Sequence, residues 1–206
     1  RVSKPCYQSA LREVVVKPGE RRQVDVILNL QSVDDLLAVA DSNWQVRNYD
    51  SAMTAVKCVL AAVPTHPHAN LMMGRNLYLA ENYSASSGYL MLALKGGEPI
   101  TLPVAYYHDS FHQGSITLRK QSLEFHSANE GNLDFSIPAS RIYSVAVVPR
   151  KGYCLRIVVG VPTGPKEVRR DLDFHPPRGT SKNSICPTCK AELEVLQSLV
   201  QQIRNY

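Results

Sequence analysis

No stretch of this chain approaches the roughly eighteen uncharged apolar residues that a membrane-spanning helix needs, so no such helix is expected. There is no basic start followed by an apolar run and a small-residue cleavage site, so no signal peptide is read. The first residue is Arg1 rather than Met, as expected of a fragment or a processed product. Cysteine is sparse: Cys6, Cys58, Cys154, Cys186 and Cys189. An odd count over 206 residues does not suggest a disulfide framework. Nucleophile elbows, phosphate loops and paired-carboxylate constellations are lacking as well, which argues against an enzyme.

What is present fits an ordinary globular chain, 44% hydrophobic and 20% charged. The net charge of +5 is spread unevenly, with +3 on residues 1–31, −2 on 32–100 and +4 on 101–206. The basic residues are interleaved with acids and not with aromatics, so a nucleic-acid partner is not expected.

Residues 1–31 read as a β-hairpin. Glu13-Val14-Val15-Val16 and the alternating Val24, Val26 and Leu28 flank Lys17-Pro18-Gly19-Glu20, and Pro then Gly at the central positions suits a type II turn. This segment resembles the last strands of PEGA-like β-modules, which would imply an extracytoplasmic setting.

Residues 32–100 carry a period of 34. Leu37 and Leu71, Ala40 and Gly74, Trp44 and Tyr78, Asn48 and Asn82, Tyr49 and Tyr83, and Leu60 and Leu94 each stand 34 apart. Small residues at Ala40 and Gly74 let paired helices approach, and Tyr49 and Tyr83 fill the wedge between them. The pattern predicts helices over 33–46, 49–62, 67–80 and 83–95. These residues resemble tetratricopeptide (TPR) repeats, and Ala40, Trp44, Tyr49, Gly74, Tyr78 and Tyr83 carry the resemblance. It implies a groove for a peptide or partner helix, with Asn43, Asn70, Arg75 and Tyr78 as candidate partner-binding residues. The Lys/Asn clamp of chaperone-binding members is not matched, since Leu37 and Asp41 occupy two of its positions.

From residue 101 the apolar period changes to two. Strands are expected near 101–107, 114–119, 122–127, 133–137, 142–148, 153–161 and 168–174, with turns at Asn129–Asn132, Arg150–Gly152 and Pro162–Pro165. A final helix over 187–204 gathers Cys189, Leu193, Leu196, Val200 and Ile203 on one face. The run from Gly114 to Ile142 resembles GRAM-type members of the pleckstrin-homology (PH)-like superfold. The expected fold is therefore α+β: two TPR-like hairpins, then a PH-like β-barrel or bent sheet (101–206) capped by a C-terminal helix.

Cys186-Pro187-Thr188-Cys189 is the sharpest local motif. It admits a half zinc site completed by His175 and one of Cys154, His108 or His112, a redox pair, or a structural pair with Cys186 capping the last helix and Cys189 in the core. The structural reading is preferred, and neither a metal nor a cofactor is expected. His108 and His112 are placed in a loop over 108–113. Because that loop has no Lys or Arg, it departs from phosphoinositide-binding PH domains. Arg119-Lys120, Arg150-Lys151 and Lys166–Arg170 read as solvated turns. Loop polarity accounts for His66 and His68.

The functional expectation is a non-enzymatic interaction or scaffold module. Its partner would be another protein or a neighbouring domain of the parent chain. The alternatives are lipid or membrane-surface binding through the β-domain, and a metal or thiol-redox site at Cys186 and Cys189.

Overall fold

The computed structural model describes residues 6–10, 13–21, 23–26, 28–129, 131–149, 153–163, 166–177 and 189–206. The chain divides into two compact units, Arg1–Pro64 and Thr65–Tyr206. The boundary falls between the two helical hairpins and not after them.

The first unit holds helices α1 (Val33–Gln45) and α2 (Tyr49–Ala62). Ser32 starts α1 by accepting the Asp35 N–H at 3.1 Å. Asp34 and Asp35 lie in the first turn, where the helix dipole favours acids. Ala40, Ala52, Val56 and Val59 are wholly buried between the helices. Val63 ends α2, and Pro64, which has no N–H to donate, follows it.

Ahead of these helices the expected hairpin is only partly present. Gly19 takes φ +82° and the Glu20 N–H donates to Lys17 O at 3.0 Å, so the turn forms. Among the described residues, however, the flanking segments make no ladder. Tyr7 and Leu30 form an isolated bridge instead. Val15 is 78% exposed, and two strands with no apolar face to cover do not persist in water. A disulfide between Cys6 and Cys58, 52 residues apart, ties this segment to α2. That cross-link runs against the expectation, drawn from the odd cysteine count, of a chain without a disulfide framework.

The second unit begins with α3 (Pro67–Leu79) and α4 (Tyr83–Lys95). Pro67 opens α3, and His66 Nδ1 caps it by accepting the Ala69 N–H at 3.4 Å. His66 thus has a structural role beyond loop polarity. A Cβ on Gly74 would lie 2.7 Å from the Leu90 side chain, so the missing side chain permits this close approach. Ser86 Oγ donates to Gly74 O at 2.8 Å across the same contact.

The hairpin junctions repeat in backbone angles, cap bonds and aromatic contact. Arg47 and Glu81 take φ of 61° and 58°. The Asn48 N–H donates to Asn43 O at 2.8 Å, and the Asn82 N–H donates to Leu77 O at 2.9 Å. Asn48 and Asn82 each cap the next helix by accepting from Ser51 and Ala85 at 3.4 Å. Trp44 meets Tyr49 edge-to-face at 4.9 Å, and Tyr78 meets Tyr83 likewise at 5.2 Å.

Seven antiparallel strands follow: β1 (Ile100–Tyr107), β2 (Phe111–Arg119), β3 (Ser122–Ser127), β4 (Phe135–Pro138), β5 (Ile142–Pro149), β6 (Tyr153–Thr163) and β7 (Lys166–His175). They form one open sheet in the order β4-β3-β2-β1-β7-β6-β5. The stretch read as a loop over 108–113 is shorter, because Phe111, His112 and Gln113 pair with Tyr107, Tyr106 and Ala105. Gly131–Leu133 forms a 3-10 turn before β4. Arg150–Gly152 and Gly164–Pro165 lie outside the described residues.

The inner face of the sheet shares one core with α4 and with α5 (Cys189–Arg204). Phe125, Phe174, Leu90, Leu94, Leu193 and Leu196 are fully buried there. Each such side chain contributes about 1.5–3 kcal/mol of burial, which is why α3 and α4 belong to the sheet unit. Among the described residues no helix is long and apolar enough to cross a membrane.

Candidate functional site

Alternation along the strands decides which side chains face inward. Ile100, Leu102, Val104 and Tyr106 of β1 and Leu155, Ile157 and Val159 of β6 are all buried on the core side. On β7 the cross-strand register sets Phe174 opposite Leu155, Leu172 opposite Ile157 and Arg170 opposite Val159. Arg170 therefore occupies a core-phase position, at the point where the inner face is no longer filled.

A cleft of about 530 Å³ opens there, lined by Tyr106, His108, Phe135–Pro138, Arg141, Val159–Pro162 and Arg170–Leu172. Its floor is aromatic. The Tyr106 ring lies 5.3 Å from Phe125, 5.4 Å from Phe135 and 5.4 Å from Phe174. Arg141 enters from the short 3-10 turn Ala139–Arg141 between β4 and β5.

The charges around the cleft are sorted by strand face. Asp171 and Asp173 sit in the outward phase of β7, where Arg156 takes them. Arg156 donates to Asp173 at 2.8 and 2.9 Å and lies 3.3 Å from Asp171. Arg169, also outward, stacks 4.7 Å from the Tyr143 ring. Arg170 and Arg141 make no ion pair with any of the described residues. Burial pushes the Tyr106 hydroxyl pKa up and Asp173 adds to the shift, while Arg170 opposes it. The phenol therefore stays protonated and able to donate. Guanidinium groups hold anions through a fixed fork of N–H donors and do not exchange protons near neutrality. The arrangement is suited to gripping a negative group above an apolar floor.

The residues expected to line a helical groove are mostly occupied within the fold. Asn70 is 0% exposed and donates to His66 O at 2.9 Å, a bond along its own helix that lets it be buried. It is not the exposed anchor expected from the sequence. Tyr78 donates to Glu192 of α5 at 2.6 Å. Burial first, then Glu192, raises its pKa well above the usual tyrosine range. Asn43 donates to Val39 O at 2.8 Å and accepts from Asn48 at 3.1 Å, so it serves the first junction. Arg75 is half-buried, with its pKa lowered by burial against the opposing pull of Glu98.

Cys186 lies outside the described residues. Cys189 is disulfide-bonded and 4% exposed. Cys154 is a fully buried thiol, and His175 is buried with its ring 4.9 Å from Phe111. Among the described residues no group of three or more His, Cys, Asp or Glu is placed to hold a metal ion. His108 lies beside Asp109 at 3.1 Å, and His112 has moved into β2.

Lys166–Arg170 is part of β7 rather than a solvated turn, and Arg170 is the residue that sequence reasoning passed over. The row Val168, Arg170, Leu172, Phe174, with one cation on an apolar phase, was the available signal. No family model matches the chain, and no curated protein matches it.

Proposed function

We propose that this chain is a non-enzymatic interaction or scaffold module, made of TPR-like hairpins and a PH-like β-domain, that holds another protein or a neighbouring domain of its parent chain. The observation that carries this reading is the cleft, where two arginines without an ion pair among the described residues stand over a floor of aromatic and aliphatic side chains. Those groups bind and orient, and their chemistry calls for a ligand with an anionic point and an apolar body. The duplicated junctions support the TPR-like description. The strand order and the C-terminal helix support the PH-like one.

The test is a peptide-display selection against the purified chain. Enriched peptides are expected to carry an acidic group next to apolar residues, and their hydrogen-exchange footprint should fall on β4, β6 and β7. Failure to enrich any peptide above a blank surface counts against the module reading.

A second reading, contact with a membrane surface, draws on Tyr107 and Phe111. They stand 41% and 37% exposed at the tip of the β1–β2 hairpin. Salt-sensitive sedimentation with anionic liposomes, lost in Phe111→Ser, is its expected signature.

The Cys6–Cys58 bridge and the bonded Cys189 further favour an oxidising compartment. Thiol alkylation of the native protein without reductant should label neither Cys6 nor Cys58.

A further inference from the structure

We infer that the cleft is a binding site for a small anionic amphiphile, a molecule with one apolar chain and one carboxylate head, gripped by Arg170 and Arg141. The inference rests on the binding-module reading and names the ligand chemistry of that same site.

Three features converge on this class. The space, about 530 Å³, lies within the roughly 300–1,000 Å³ of clefts that hold drug-sized molecules. Its walls are apolar where they are deepest: Val159 is 2% exposed, Tyr106 7% and Leu172 9%. Such walls discard a purely polar guest and reward an apolar chain.

At the mouth, Arg170 and Arg141 lack an anionic partner among the described residues. The carboxylates on the same strand, Asp171 and Asp173, are held on the opposite face by Arg156. Arg156 thereby offsets their negative charge, that of Asp171 included where it borders the cleft, and an incoming carboxylate meets two guanidinium forks. The Tyr106 hydroxyl, kept protonated by burial, is a third donor in the lining.

A polyphosphorylated head fits less well. The β1–β2 turn beside the cleft offers His108 next to Asp109, with no lysine or arginine to add to the two cations.

The experiment is isothermal titration of the whole chain with decanoate at low ionic strength. Decanol (the same chain without charge), acetate (the charge without a chain) and decyl phosphate are run in parallel. Decanoate is expected to saturate one site, with decanol and acetate at least about tenfold weaker. Arg170→Gln and Arg141→Gln should each weaken decanoate about tenfold. Arg169→Gln, on the outer face, should leave it unchanged.

Circular dichroism checks the fold of each variant. If Arg170→Gln does not fold, Arg141→Gln and the salt dependence of the parent chain still decide the matter. Equal affinity for decanol and decanoate, or an unchanged affinity in a folded Arg170→Gln, overturns the inference. Tighter binding of decyl phosphate than of decanoate overturns the carboxylate assignment. Should decanoate fail while display-selected peptides still map to the cleft, this inference falls and the module reading stands. Failure of both removes both.

Discussion

The junction at Arg47, Asn48 and Tyr49 and the junction at Glu81, Asn82 and Tyr83 share backbone angles, cap bonds and an edge-to-face aromatic pair. Yet Tyr49 is 38% exposed and Tyr83 only 9%. The first hairpin is held by its own two-helix contact and by a cross-link to the segment before it. The second lends Leu71, Leu90 and Leu94 to the core of a sheet. Identical local chemistry fixes how each hairpin turns. What it packs against, and therefore how firmly it stands, is decided by the apolar residues on its remaining face.

The comparison can be broken most forcefully at the disulfide. Cys58→Ser should destabilise the first unit by about 4 kcal/mol on the chain-entropy account of a long closed loop. Trp44, the one tryptophan, reports this as an earlier fluorescence transition in urea. Tyrosine near-ultraviolet dichroism, dominated by the sheet unit, should not shift. Matching losses in both signals would show that the units do not unfold separately.

Next in size, Leu90→Ala should cost about 3 kcal/mol in the sheet unit. Val56→Ala, at the matching place in the first hairpin, should cost about 1–2 kcal/mol because fewer buried atoms are removed. Gly74→Ala forces a methyl against Leu90 and should cost about 1–3 kcal/mol, read in the same tyrosine transition.

A smaller effect separates the hairpins by pH. Burial and Glu192 raise the Tyr78 pKa above its ordinary value of 10.0 in the folded chain. The unfolded chain therefore ionises this phenol first. The stability Tyr78 contributes is intact below pH 10 and declines as pH rises above it. Urea midpoints of the sheet unit should fall in that range, and Tyr78→Phe should flatten part of the slope. The smallest effects should also be the most alike: Asn48→Ala and Asn82→Ala are each expected to cost about 1 kcal/mol, since both remove the same cap.

The helices were legible because their signals are local. Caps at Ser32, Asn48 and Asn82, a proline at the start of α3 and a period of 34 lie within a few residues of what they determine. The strands were legible through alternation, and the α+β order of helices, sheet and last helix follows from those two periods; that the sheet stays open instead of closing into a barrel does not. Distant pairings were not legible. Cys6 and Cys58 carry no mark that they meet across 52 residues, and the run Val14–Val16 has the composition of a strand but joins no ladder among the described residues. Asn70 looked exposed because it is polar, whereas its side chain is buried and its amide N–H donates one turn back to His66 O. Arg170 was hidden for a related reason. Strand phase was readable, but whether the inner face is filled at that level depends on where α5 and β4 leave room.

The division at Pro64 carries a practical consequence for anyone dissecting this chain. A cut at residue 100, where the sequence character changes, would tear Leu90 and Leu94 from the sheet and leave a greasy wound on each half. A cut after Pro64 leaves each piece with its own interior. The seam between bodies thus runs between the two helical hairpins, well before the point where the apolar period changes.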